Sequence, residues 1–175
     1  MPLHILERFS HIKLMAFDLD GVLTNGKMLI QSNNEWVREM DIKDGLALQL
    51  AVKHGFHVAV ISGSFSEPVK NRLSYLGIHQ FYEKVTSKSV VLSQLMEEYA
   101  LTQSQIMYMG DDLPDLDAFS VSGLKTCPAD AVEEVKMKAD YISVRKGGDG
   151  CVRDVIEKVM KTQHAWMKIS DTSSL

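Results

Sequence analysis

Three short apolar runs in this chain end the same way. Ile12 to Phe17 runs into Asp18-Leu19-Asp20-Gly21, His57 to Ile61 into Ser62-Gly63, and Ile106 to Met109 into Gly110-Asp111-Asp112. Gly123 to Thr126 and Asp140 to Val144 are weaker runs of the same kind. Runs this short, bounded by polar or glycine residues, have the pattern of strands buried on both faces. Between them apolar residues recur at helical spacing, as in Leu92, Leu95, Met96 and Tyr99, or Val152, Val155, Ile156, Val159 and Met160. Alternation of buried strands with amphipathic helices predicts an α/β fold with a parallel sheet. Ligands in such sheets gather at the carboxyl ends of the strands, so the three polar strand ends are expected to meet there.

One stretch departs from the alternation. From Gly26 to Ile42, two mixed segments flank Ser32-Asn33-Asn34, which predicts a β-hairpin inserted after the first strand. A length of 175 residues with 45% hydrophobic content supplies one ordinary core and too little chain for two full-sized domains. The expectation is one domain over 1–175. It is a Rossmann-like parallel sheet with helices on both faces, a hairpin at about 26–42 and a loosely ordered polar tail at about 164–175. A formal charge of -4 gives no global attraction to nucleic acid or to an anionic membrane, which favours a small-molecule substrate. Cys127 and Cys151 lack metal-type spacing and read as free thiols in a reducing compartment. No apolar run approaches the roughly 20 residues needed to cross a bilayer, so a cytoplasmic protein is expected.

Asp18 and Asp20 are two apart on an extended segment, which turns both carboxylates to one side. One can attack phosphorus. The other can protonate the leaving oxygen and later take a proton from the water that hydrolyses the aspartyl-phosphate. Several carboxylates beside a phosphate dianion require a cation, and an oxygen-only ligand set points to magnesium. The candidate ligands are Asp18, the backbone carbonyl of Asp20, and Asp111, with Asp112 and Asp115 supporting them from behind. Ser62 and Gly63 offer a hydroxyl and backbone N–H groups to phosphate oxygens, and Thr24 is a further candidate substrate contact. Lys88 can neutralise charge on the nucleophile and the transferring group. A D-x-D-G string alone is more often a turn. The ordered sequence of strand, Asp18-Leu19-Asp20-Gly21, Thr24, Ser-Gly, lysine and Gly-Asp-Asp shifts the balance to catalysis.

Those four blocks resemble, in order, the four motifs of the haloacid dehalogenase superfamily across most of the chain. The resemblance implies Asp18 as nucleophile, Asp20 as acid and base, Ser62 as phosphate binder, Lys88 as the third-motif lysine and Asp111 as metal ligand, in agreement with the roles above. Members usually gain specificity from a cap inserted after the first or second motif. Here the 44 positions from Asp18 to Ser62 are taken up by the hairpin and one helix, and the 26 from Ser62 to Lys88 by one helix and one strand, so no cap domain is expected. An open site must be closed by a macromolecular substrate or by another subunit, and the hairpin edges with Trp36 offer a surface for the latter.

A capless chain with this hairpin, Ile42-Lys43-Asp44-Gly45, Gly110 to Asp115 and Gly147 to Asp154 resembles the 3-deoxy-D-manno-octulosonate 8-phosphate (KDO 8-phosphate) phosphatase family over roughly residues 10 to 163. That likeness implies magnesium-dependent hydrolysis of KDO 8-phosphate to KDO and phosphate in lipopolysaccharide biosynthesis. It also implies a homotetramer whose neighbouring subunits and tails cover the active site, with Arg72 a candidate for the sugar-acid carboxylate. The family often carries arginine directly after the Ser/Thr-Gly pair, where this chain has Ser64. Asn34-Glu35-Trp36 is also similar to relatives acting on nine-carbon sugar-acid phosphates of the KDN or sialic-acid type. Three alternatives therefore stand beside the first reading: a nine-carbon substrate, a macromolecular phosphoester, and a non-catalytic oligomeric binding module. Lys43, Arg72, Arg145 and Lys146 are residue types more often found as solvated charges than as ligands.

Overall fold

The computed structural model describes residues 4–166, so the tail expected at 164–175 lies outside the described residues from position 167 onward. The strands are β1 (Leu14–Phe17), β2 (Leu29–Ile30), β3 (Trp36–Val37), β4 (His57–Ile61), β5 (Gln80–Tyr82), β6 (Ile106–Met109), β7 (Leu124–Cys127) and β8 (Tyr141–Ile142). Six of them form one sheet in the order β5-β4-β1-β6-β7-β8, every pair parallel. The chain builds outward from β1 through β4 to β5, then returns to place β6 on the other side of β1. That reversal makes a crevice at the ends of β1 and β6. Phe17 is in register with Val60 and with Met109, so the three polar strand ends are immediate neighbours.

The period-two alternation of β1 divides the core. Met15 and Phe17 pack with α1 (Ile5–Ser10), α2 (Ile42–Lys53), α3 (Glu67–Tyr75) and α7 (Cys151–Thr162). Leu14 and Ala16 pack on the opposite face with α4 (Lys88–Glu98), α5 (Asp115–Phe119) and α6 (Glu133–Lys136). β5 is the strand expected between Ser62 and Lys88; Gln80-Phe81-Tyr82 is too short and mixed to announce itself. No helix among the described residues is long and apolar enough to cross a membrane. Cys127 and Cys151 are buried free thiols.

Two features place the loops around the crevice. Asp44, buried in the first turn of α2, accepts hydrogen bonds from the N–H groups of Gly150 (3.3 Å) and Arg153 (2.7 Å). It thereby caps the start of α7 from another helix and fixes the glycine-rich segment that precedes it. The hairpin is a separate two-stranded antiparallel sheet pairing Leu29 with Val37 and Ile30 with Trp36. Asn34, in the left-handed region at φ 63°, closes its turn. A bridge from Thr24 to Met40 ties its base to the first loop. All four strand residues are exposed, Ile30 by 70%.

Candidate active site

Beyond β1 the chain makes one wide turn over Leu19–Leu23, closed by the Thr24 N–H donating to the Leu19 carbonyl at 3.1 Å. Gly21 has φ +97°, and a Cβ built there would lie 2.0 Å from Asp111 Oδ2, so only glycine lets this backbone approach the β6 end. A second close approach braces the turn from outside. A Cβ on Gly147 would lie 1.9 Å from the Gly21 carbonyl oxygen, and the Gly148 N–H donates to Val22 O at 2.9 Å. The late glycines thus act as a backbone prop under the catalytic turn. Thr24 belongs to the same scaffold: its fully buried hydroxyl oxygen accepts from the N–H groups of Gly21 and Gly26, both at 3.3 Å. It is not among the residues lining the cavity above, but its hydroxyl also donates to Asp20 Oδ1 at 3.4 Å.

That cavity, about 510 Å³, brings together Asp18, Asp20, Ser62, Gly63, Lys88, Asp111, Asp112 and Asp115 from all three strand ends and the start of α4. Lys88 Nζ donates to Asp18 Oδ1 and to Asp115 Oδ1, both at 2.6 Å. Asp115 also accepts from the Tyr108 hydroxyl (2.6 Å) and from the N–H groups of Asp111 (2.8 Å) and Asp112 (3.2 Å). Tyr108 was not singled out in the sequence. Its signal is a lone hydroxyl inside an apolar strand, which demands a buried partner.

Burial, then the Asp115 charge, pushes the Asp18 carboxyl up to about 6 against the pull of Lys88. Burial, then the charges of Asp18 and Asp115, pushes Asp111 up to about 8. Burial opposes the Lys88 ammonium, yet Asp18 and Asp115 together hold its pKa above the ordinary lysine value.

The same residues can be tested for a metal. Carboxylate oxygens of Asp18, Asp111 and Asp115 lie within 4.8 Å of one another. Asp115 already has four donors on its two oxygens, which makes it a framework residue. Asp111 Oδ1 is buried with no hydrogen-bond partner, an arrangement a native site sustains when an ion or water completes it. Asp18 and Asp111 therefore fit a hard dication, with Asp115 orienting Asp111's loop and Lys88.

The Asp20 carboxylate lies on the other wall. Arg38, which follows β3, donates from Nε to Oδ1 at 2.7 Å and from Nη2 to Oδ2 at 3.1 Å. Its Nη2 also reaches Ser64 Oγ at 3.3 Å. So a guanidinium arrives from the hairpin at the corner where position 64 carries serine. Arg38 was missed in the sequence, where it is one charged residue of an exposed hairpin with no local signal. Beyond it, a groove of about 700 Å³ runs between the hairpin and α3, lined by Trp36, Val37, Arg38, Phe65 and Arg72 among others. Arg72 sits there with its guanidinium 5.5 Å from the Tyr75 ring centroid, outside the carboxylate cavity.

The fold, the crevice at the β1–β6 reversal and the carboxylate–lysine cluster define a class. The chain belongs to the haloacid dehalogenase-like hydrolases, whose family pattern matches residues 57–155. Within that class it is 31% identical over 160 residues to the KDO 8-phosphate phosphatase KdsC of Salmonella typhimurium, covering 91% of this chain and 85% of the relative. It is 32% identical over 157 residues to KdsC of Haemophilus influenzae, covering 90% of this chain and 87% of the relative. The fold is also similar to that of the KDO 8-phosphate phosphatase of Moraxella catarrhalis crystallised with magnesium, phosphate and KDO. That similarity has a TM-score of 0.88 at 33% identity and covers 92% of this chain and 94% of the other.

Proposed function

We propose that this chain is a magnesium-dependent phosphatase that hydrolyses KDO 8-phosphate to KDO and phosphate in the cytoplasm, for lipopolysaccharide biosynthesis. The observation that carries the reading is the cluster of Asp18, Lys88 and the orphaned Asp111 oxygen, in a chain similar over nine-tenths of its length to KDO 8-phosphate phosphatases. Asp18 attacks phosphorus with the oxygen that Lys88 does not hold, while Ser62, Gly63 and Lys88 receive the phosphoryl oxygens. Asp20 gives its proton to the leaving sugar oxygen. It then takes one from the water that attacks the aspartyl-phosphate, and Asp18 is regenerated as phosphate departs. Magnesium, when held by Asp18, Asp111 and the Asp20 carbonyl, supplies positive charge to the transferring group.

The sugar-acid body has to lie outside the 510 Å³ cavity, toward the groove that holds Arg72. One wall of that groove is the hairpin, whose exposed Leu29, Ile30, Trp36 and Val37 suit burial against other copies of the chain. A homotetramer in which neighbours complete the site follows as part of the same proposal. Ser64 and the Asn34-Glu35-Trp36 segment favour one further reading, a nine-carbon sugar-acid phosphate. Phosphate release from a panel of phosphorylated sugar acids with magnesium separates them. The proposal expects KDO 8-phosphate to give the highest kcat/KM, and a flat panel or a nine-carbon preference would contradict it.

A further inference from the structure

We infer that Arg38 is the residue that positions Asp20 for proton transfer, so that the hairpin takes part in the chemistry as well as in shaping the site. The inference rests on Asp20 being the acid and base. Within its own turn the Asp20 side chain meets the Thr24 hydroxyl at 3.4 Å, longer than either bond from Arg38, and its carboxylate is about a quarter exposed, whereas the Arg38 side chain is 4% exposed. A guanidinium that deeply buried needs a counter-ion, and the two-pronged contact to Asp20 supplies it. Two N–H groups in the rigid plane of one guanidinium set the plane of the carboxylate as well as its distance.

The remaining contacts extend the clamp to the phosphate-binding side. Ser64 Oγ is 3.1 Å from Asp20 Oδ2, 3.3 Å from Arg38 Nη2 and 2.9 Å from Ser62 Oγ, and the Ser64 N–H donates to Ser62 Oγ at 3.0 Å. One hydroxyl proton and two lone pairs satisfy all three contacts of Ser64 Oγ when it donates to Asp20 and accepts from Arg38 and Ser62. A continuous chain thus runs from the hairpin through Asp20 and Ser64 to Ser62. The bridge from Thr24 to Met40 holds the base of the hairpin two residues beyond Arg38, so a shift of the hairpin is passed to Asp20.

The test is a leaving-group comparison in the full-length enzyme. An alkyl sugar phosphate needs its leaving oxygen protonated, and p-nitrophenyl phosphate needs this far less. Arg38→Ala is expected to lower kcat for the alkyl substrate by about 100-fold, the scale of a misplaced catalytic group, and to lower it by less than about 10-fold for the aryl substrate. KM for both should stay within about threefold, since a lost transition-state contact lowers kcat and leaves ground-state binding alone. Arg38→Lys should recover part of the alkyl rate. In an Asp20→Asn background, Arg38→Ala should cost nothing more, because two groups acting as one unit are not additive. Equal losses on both substrates, a rise in KM with kcat kept, or additive losses would overturn the inference. If Arg38→Ala does not assemble, Arg38→Lys is read by the same leaving-group criterion. Full activity in Asp20→Asn would instead break the underlying assignment of Asp20, whatever Arg38 does.

Discussion

Asp18 and Asp20 stand two residues apart on one loop, yet different parts of the molecule hold them. Asp18 is gripped by the domain core: Lys88 from α4, itself tied to Asp115, which Tyr108 and the β6 loop hold in turn. Asp20 is gripped from the periphery by Arg38 of a hairpin whose strands are exposed. The two carboxylates need different things. In the proposed roles, a nucleophile that also binds metal must stay fixed through the cycle, whereas an acid and base must meet the leaving group. On the proposed mechanism, a core-anchored nucleophile beside a hairpin-anchored proton carrier lets the leaving-group corner vary without disturbing the other.

The contrast can be broken most forcefully at the nucleophile. Asp18→Asn keeps the shape of the side chain and removes the attacking oxygen, and kcat is expected to fall by about 10⁴-fold or more on every phosphate ester, alkyl or aryl. Residual turnover near wild type, with the chain still assembled, would remove Asp18 from the mechanism. Lys88→Met should cost about 10²- to 10³-fold in kcat, again without regard to leaving group, because it removes charge from the transferring group. It should also lower Tm, since Asp18 and Asp115 lose their shared buried counter-ion. A leaving-group-dependent loss in Lys88→Met would mean that the two corners are not separate.

A smaller effect tests the support beneath both. Asp44, which caps α7 and so holds the glycine prop, has its carboxyl pushed by burial from the ordinary 3.8 up to about 6. The folded state therefore binds this proton more tightly than the unfolded chain. Its contribution to stability is fully present below about pH 3.8 and is lost as the pH rises through about 6, amounting to about 3 kcal/mol. Denaturant unfolding across that range should show a larger loss of stability in wild type than in Asp44→Asn, which keeps only the share from other buried carboxyls such as Asp18. Parallel profiles for the two proteins would contradict it.

The sequence carried the core-anchored corner well and the other poorly, for a physical reason. Asp18, Ser62 and Asp111 end apolar runs, and a parallel sheet must bring such ends to one edge, so local pattern was enough to foresee their meeting. Lys88 became legible once its place before a helical pattern was joined to the four-block resemblance. Arg38 had no such signal: its contact with Asp20 spans 18 residues and depends on how the hairpin leans on the turn, which composition does not encode. Thr24 and Gly147 show a structural role that the resemblance does not spell out. Both lie in segments that the resemblance marks, and both serve the backbone of the turn, one through its hydroxyl and the other by having no side chain to obstruct the approach.

The most direct test of the central claim is to trap the covalent intermediate. Wild-type enzyme turning over KDO 8-phosphate with magnesium would be acid-quenched, reduced with borohydride and mapped by peptide mass spectrometry. An aspartyl-phosphate is reduced to homoserine, so the account predicts homoserine at position 18 and nowhere else, in substrate-treated protein only. Unmodified Asp18 under conditions where substrate is being consumed, or homoserine at Asp20, Asp111 or Asp115 instead, would contradict it.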